Sequence, residues 1–210
     1  VTSTTTDTAL RDVTRLAVRN EVLRQAWELF ATQGFESTTI EQVAEASGMS
    51  RRTFFRYFTG KDDLLLSRLV ESGDRLVESL HRQPPERTAW DALRAAFQVF
   101  VKLQETNQER SRRLQLMLRD EAGVQASIED RRRRWVANLA PLIEKRLHSS
   151  TGSDAPSLTA IAIVGAALTS MEAASLHWAE NPGSDLSALV DEAMNAVHPL
   201  GPAAGHVTGD

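Results

Sequence analysis

Apolar residues recur at helical spacing along almost the whole 210-residue chain, and this period limits the fold more than any composition figure does. The cleanest stripe is Trp90, Leu93, Phe97, Phe100 and Val101, at i, i+3, i+7, i+10 and i+11. No convincing alternation of apolar and polar residues bounded by turn residues interrupts the pattern, so strands are not expected. The predicted fold class is all-α.

Glycine and proline divide the chain into nine predicted helices. Val22, Ala26, Leu29 and Phe30 mark the first, which stops at Gly34, a residue able to take the left-handed cap conformation. Thr38 and Thr39 can cap a short second helix carrying Ile40, Val43 and Ala44, and Ser50, after Gly48, can cap a third through Phe54 and Tyr57. A fourth helix is expected over 61–81, with Leu66, Leu69, Val70, Val77 and Leu80 inward, and Pro84-Pro85 ends it. The fifth is expected over 86–104, the sixth over 108–119 and the seventh over 124–148. In the seventh, Ile128, Trp135, Leu139, Leu142 and Ile143 face inward and Pro141 should kink the axis. Asp154 and Pro156 open an eighth to about residue 180, and Ser184 caps a ninth to about 197. The tail over 199–210, with Pro199, Gly201, Pro202, Gly205 and Gly209, reads as disordered.

Composition removes several classes of function. With no cysteine, disulfide frameworks, thiolate zinc sites and cysteine nucleophiles are all excluded. The longest uncharged apolar stretch, 158–171, is shorter than the roughly 20 residues a bilayer requires, so no membrane partner is expected. The first ten residues are threonine-rich and lack the basic-then-apolar order of a signal peptide, which points to a cytoplasmic protein. The histidines His81, His148, His177, His198 and His206 lack metal-ligand spacing, and neither a phosphate-binding glycine loop nor a nucleophile elbow is found. No metal, no cofactor and no catalytic residues are therefore expected; the chain does not read as an enzyme.

The net charge of −4 would by itself argue against nucleic acid, but its distribution argues the other way. Residues 49–61 carry Arg51, Arg52, Arg56 and Lys61 with no acid, whereas 149–210 carry seven acids and no lysine or arginine. The basic island falls on the second helix of a helix, glycine turn, helix unit over 38–58. That arrangement can place one helix in the major groove while the other crosses the backbone. Any two short amphipathic helices around a glycine would look the same, so the geometry alone leaves DNA binding open.

The residues themselves narrow the choice. Glu21-Val-Leu-Arg-Gln-Ala-Trp-Glu-Leu-Phe, Gly34-Phe35, Thr38-Thr39-Ile40, Val43-Ala44 and Gly48-Met-Ser-Arg-Arg-Thr-Phe-Phe-Arg-Tyr-Phe-Thr-Gly-Lys61 resemble the DNA-binding domain of TetR-family transcriptional regulators. The Arg-Arg-Thr-Phe-Phe-Arg-Tyr-Phe wording also resembles the mycofactocin-system regulator subgroup. The resemblance implies a flexible arm over 1–18, a three-helix helix-turn-helix domain over 19–65, and a six-helix effector-binding and dimerisation domain over 66–198. Arg51 and Arg52 would read guanine edges and Thr53 a thymine methyl, beside Ser50 at the exposed helix start. Thr39, Tyr57 and Lys61 would hold phosphates, although Tyr57 also suits a half-buried packing role. Phe55 stands where the family usually has tyrosine and cannot donate a hydroxyl bond. Arg11, Arg15 and Arg19 would either form a minor-groove arm or cover a solvated helix face.

The implied partners are a double-stranded DNA operator, a small-molecule effector and a second copy of the chain. The resemblance places the homodimer on the eighth and ninth helices. There Ala160, Ala162, Gly165, Ala166, Ala167, Ala173 and Ala174 permit close approach, and Leu186, Leu189, Val190 and Met194 offer an apolar face. The same residues would also suit packing inside one chain. Arg132 and Glu172 fall on apolar stripes, and such charges need partners. They either line an effector pocket with Trp90, Phe97, Phe100, Met117, Trp135, Leu168 and Met171, or form a structural salt bridge. The expected function is a homodimeric repressor released from a palindromic operator by its effector. Activation by the same fold, or a helical small-molecule-binding module, less readily an enzyme, without DNA contact, are the alternatives.

Overall fold

A computed structural model of the chain describes residues 3–147 and 157–197, and every described segment of regular structure is helical. The helices are α1 (Ser3–Gln33), α2 (Ile40–Ala46), α3 (Arg51–Phe54), α4 (Lys61–His81), α5 (Ala89–Glu105), α6 (Gln108–Asp120), α7 (Gln125–Arg146), α8 (Leu158–Glu180) and α9 (Leu186–Val197). A single 3-10 turn, Ala122–Val124, precedes α7. They form two units, one from residues up to Ser72 together with Glu109–Arg131, the other from Gly73–Gln108 and the chain from Arg132 onward.

The first unit is built on the inner faces of α1 to α4. Val22, Ala26, Phe30, Val43, Phe54, Phe58, Leu64 and Leu65 are buried together, and Met117, Leu118 and Val124 from the later segment complete the same core. Two expectations change here. The predicted arm is not separate from the first helix, since α1 already begins at Ser3 and runs unbroken to Gln33. Met117, expected beside the pocket aromatics, packs instead with the core formed by α1 to α4, because α6 turns its apolar stripe toward that core.

Within the second unit, α8 packs along α9 and both pack on α5. Leu93, Phe97, Leu139, Ile143, Val164, Leu168, Trp178, Leu186, Val190 and Met194 are buried there. Arg94 and Asp191 join α5 to α9 through an ion pair of 2.6 Å, and the Asp191 carboxylate holds the Arg94 guanidinium further above its already high range. Arg146 closes the end of α4, donating from Nη1 to the Pro84 carbonyl at 2.7 Å and from Nη2 to the Gln83 carbonyl at 2.8 Å and the Leu80 carbonyl at 3.3 Å. A cation placed on the last carbonyls of a helix also complements its dipole.

The structure adjusts several local expectations. α4 buries Leu64 and Leu65 in the first unit and Leu76 and Leu80 in the second, while Leu66 and Val77 are half-buried; the side chains of Leu69 and Val70 lie outside the described part. One helix serving two cores cannot keep a single apolar stripe. Thr88 caps α5, so that helix begins three residues later than its expected start. Asp185, not Ser184, caps α9, accepting from the Ala188 N–H at 3.1 Å. α7 continues through Pro141. At 23 residues, α8 is long and apolar enough by length and composition to cross a membrane, contrary to the shorter span read from 158–171. Its buried face of Val164, Ala167, Leu168, Met171, Ala174 and Trp178 is, however, used inside the second unit. The expected disordered tail and the opening residues Asp154 and Pro156 lie outside the described residues.

Candidate nucleic-acid interface

The short helices of the first unit owe their geometry to caps. Gly34 adopts φ 89° after α1 and Gly48 φ 67° between α2 and α3, a region open to glycine at little steric cost. Thr39 caps α2 in a reciprocal box: its hydroxyl accepts from the Gln42 N–H at 3.2 Å, and the Gln42 side chain accepts from the Thr39 N–H at 2.8 Å. The buried Thr38 hydroxyl instead donates to the Gly34 carbonyl at 2.6 Å, tying the turn to the end of α1. Ser50 caps α3, its hydroxyl accepting from the Thr53 N–H at 3.1 Å and lying 2.9 Å from the Thr53 hydroxyl. Phe54 and Phe58 anchor this segment from below, both buried, with ring centroids 5.7 Å apart.

On that frame the basic island divides into engaged and open side chains. Arg51 forms an exposed ion pair of 2.7 Å with Glu41 of α2, and its guanidinium lies 5.6 Å from the centroid of the Phe55 ring, itself 45% exposed. Lys61 turns back to the α1–α2 connection, donating to the Phe35 and Glu36 carbonyls at 2.9 and 3.2 Å. Arg52 and Arg56 are exposed, and no ion pair or hydrogen bond engages either guanidinium among the described residues. Thr53 is half-exposed beside them. Tyr57 is half-buried against the core, with its backbone carbonyl accepting from Arg19. Arg19 is committed further to Ser67, donating to its hydroxyl at 3.0 Å, and lies 4.3 Å above the Phe58 ring. It is therefore a packing residue and not part of an arm. Arg56 carries no assigned role in the sequence reading beyond its place in the acid-free island, yet it is as open as Arg52.

The family model described as bacterial regulatory proteins, tetR family, matches residues 22–67. The MftR C-terminal domain model matches residues 87–200, more than half of the chain. The chain belongs to the TetR family. Among similar proteins, the regulator TcmR of Streptomyces glaucescens is 33% identical over 99 residues, which cover 47% of this chain and 44% of its own length. The protein named a mycofactocin biosynthesis transcriptional regulator, MftR, of Mycobacterium tuberculosis is 27% identical over 172 residues, 82% of this chain and 85% of its own. Among solved structures, the TetR-family repressor FadR of Thermus thermophilus, determined with lauroyl-CoA, has a TM-score of 0.61 at 22% identity, covering 91% of this chain and all of that one. Bacillus halodurans FadR has a TM-score of 0.63 at 19% identity, covering 85% and 93%. At these identities the structural likeness concerns the fold. The MftR-type match also spans 109–131, so part of the TetR C-terminal region is packed with the helix-turn-helix unit.

In the second unit of this TetR-family chain, Arg132 and Glu172 meet directly. Arg132 Nη1 donates to a Glu172 carboxylate oxygen at 2.6 Å, and Nη2 to the Thr169 hydroxyl at 2.7 Å and the Gly165 carbonyl at 3.1 Å. Of the two readings of these charges, the ion pair is the one the structure contains. Trp135 stacks on Phe100, with centroids 5.3 Å apart, and its indole lies so close to α4 that a Cβ on Gly73 would stand 2.5 Å from Nε1. Trp90, Phe97, Leu168 and Met171 are buried in the same unit. On the predicted dimer helices, Ala160, Ala167, Ala174, Leu186, Val190 and Met194 are buried within the chain, whereas Leu158, Ile161, Ala162, Thr169 and Ala173 of α8 face outward.

Proposed function

We propose that this TetR-family chain is a homodimeric repressor that reads a palindromic DNA operator through α3 and leaves it when a small molecule binds the second unit. The observation that carries this reading is the pair of open guanidiniums, Arg52 and Arg56, on a capped and core-anchored segment with no nearby acid in sequence. Arg52 and Thr53 are assigned to base edges, with Arg56, Tyr57 and Thr39 at phosphates, which position the protein without carrying sequence information. Arg51 joins them by exchanging Glu41 for a guanine edge; an exposed ion pair contributes only about 0 to 1 kcal/mol, so the exchange costs little. Lys61 keeps one N–H for a phosphate while holding its two carbonyls.

The dimer is assigned to the outward stripe of α8, with α9 beside it. A two-fold pair of recognition helices about 34 Å apart would match successive turns of DNA. Release requires an effector that binds better to a spacing the operator does not fit. An acyl thioester is the effector class to test first, because the Thermus relative in fold was determined with lauroyl-CoA. Selection of bound genomic fragments by the wild-type protein and by Arg52→Ala tests the reading. Wild type should recover one palindromic family with steep salt dependence, and a wild-type protein that selects no sequence at moderate salt overturns it.

A further inference from the structure

The α1–α2 turn is held from two sides by opposite charges. Glu121, just before the 3-10 turn, accepts from the Phe35 N–H with one carboxylate oxygen and from the Glu36 N–H with the other, each at 2.7 Å. Lys61 donates to the carbonyls of the same two residues, and its ammonium lies 4.7 Å from the Phe35 ring centroid. Two consecutive residues thus have all four backbone polar atoms engaged by side chains 25 to 86 positions away in sequence.

Two glycines leave room for this grip. A Cβ on Gly34 would stand 2.6 Å from a Glu121 carboxylate oxygen, and a Cβ on Gly123 would run into the Glu36 carboxylate. Local bonds already close the turn without it. The Gly34 N–H reaches the Phe30 carbonyl at 3.1 Å, and the Thr38 N–H reaches the Phe35 carbonyl at 3.2 Å. Glu36 is exposed, so water would satisfy its amide equally well. What a carboxylate bound to two successive amides adds is orientation, because both bonds hold only over a narrow range of peptide-plane angles.

We infer that Glu121 is a positioning residue for DNA reading, fixing the angle at which α2 and α3 leave α1. The inference rests on the DNA-binding role proposed above. α2 begins four residues after Glu36 and packs on α3, so a rotation of the gripped peptides passes to Arg52 and Thr53. Across the roughly 10 Å length of a seven-residue helix, a tilt of about 10° moves the far end by about 2 Å. That displacement is enough to break a base-edge hydrogen bond.

The test uses the full chain, wild type beside Glu121→Ala and Glu121→Gln, on an operator fragment selected by wild type. The isosteric glutamine retains one acceptor and the side-chain volume but cannot accept from the second amide, so if alanine does not fold it still removes one of the two bonds without opening a void. Fluorescence anisotropy at several salt concentrations should show affinity weakened about tenfold or more in Glu121→Ala and by less in Glu121→Gln, the scale of one misplaced base contact. The salt slope should be shallower, since fewer phosphates are met. Thermal unfolding should stay close to wild type, and the Phe35 and Glu36 amides should exchange faster. The inference is overturned if both variants bind with wild-type affinity and slope. It is also overturned if lost binding merely tracks a lowered melting temperature and returns on cooling. A wild type that selects no DNA removes the regulator reading and this one together, whereas wild-type-like variants on a selected operator remove only this one.

Discussion

Arginine stands in opposite states on the α3 segment and in the second unit. Arg52 and Arg56 stand exposed with open donors, and the surrounding caps and phenylalanines fix their backbone without engaging their charge. Arg132 and Arg146 are filled: one by a carboxylate, a hydroxyl and a carbonyl, the other by carbonyls at the end of α4. A filled guanidinium stabilises its neighbours and has little left for a ligand. An open one contributes little to folding and stays available, which is what the proposed DNA contact requires.

Substitutions can break this contrast, beginning with the largest effect. Arg146→Ala should lower the unfolding free energy by about 3 kcal/mol in urea titration, since several carbonyls lose a charged donor together. Operator affinity per folded molecule should not change. Arg132→Ala should cost about 2 kcal/mol in the same measurement, because the Glu172 carboxylate, the Thr169 hydroxyl and the Gly165 carbonyl lose one charged donor together; partial exposure keeps this below the loss for a fully buried pair. Arg52→Ala should leave thermal unfolding unchanged and weaken operator binding by about tenfold or more in anisotropy titrations. Glu41→Gln should be smallest, shifting stability by under about 1 kcal/mol while releasing Arg51. Operator affinity should then hold or rise, and a loss would mean that Arg51 works from its pair with Glu41.

The features legible in the sequence are those whose physical cause is local. Gly34, Gly48, Thr39 and Ser50 act within three or four residues, and each cap or left-handed turn stands where it was expected. The Arg132–Glu172 pair was within reach as one of two readings because both charges interrupt apolar stripes. Residues that report on distant packing were not legible. The α6 stripe shows that Met117 is buried but not in which core, and α4 mixes two inner faces because it serves both units. Nothing near Glu121 marks it as the acceptor for two amides 85 and 86 residues earlier, and no ion-pair spacing would find it because its partners are backbone.

The seating of Trp135 has an optical consequence. Its indole is stacked on Phe100 and pressed against the backbone at Gly73, and Trp27, Trp90 and Trp178 are also covered by protein. Every indole in the chain is thus shielded from solvent, and the protein should fluoresce toward the blue with little quenching by dissolved iodide. A molecule that parts the Phe100–Trp135 stack would redden and dim that emission, giving an unlabelled signal of its entry before any DNA is added.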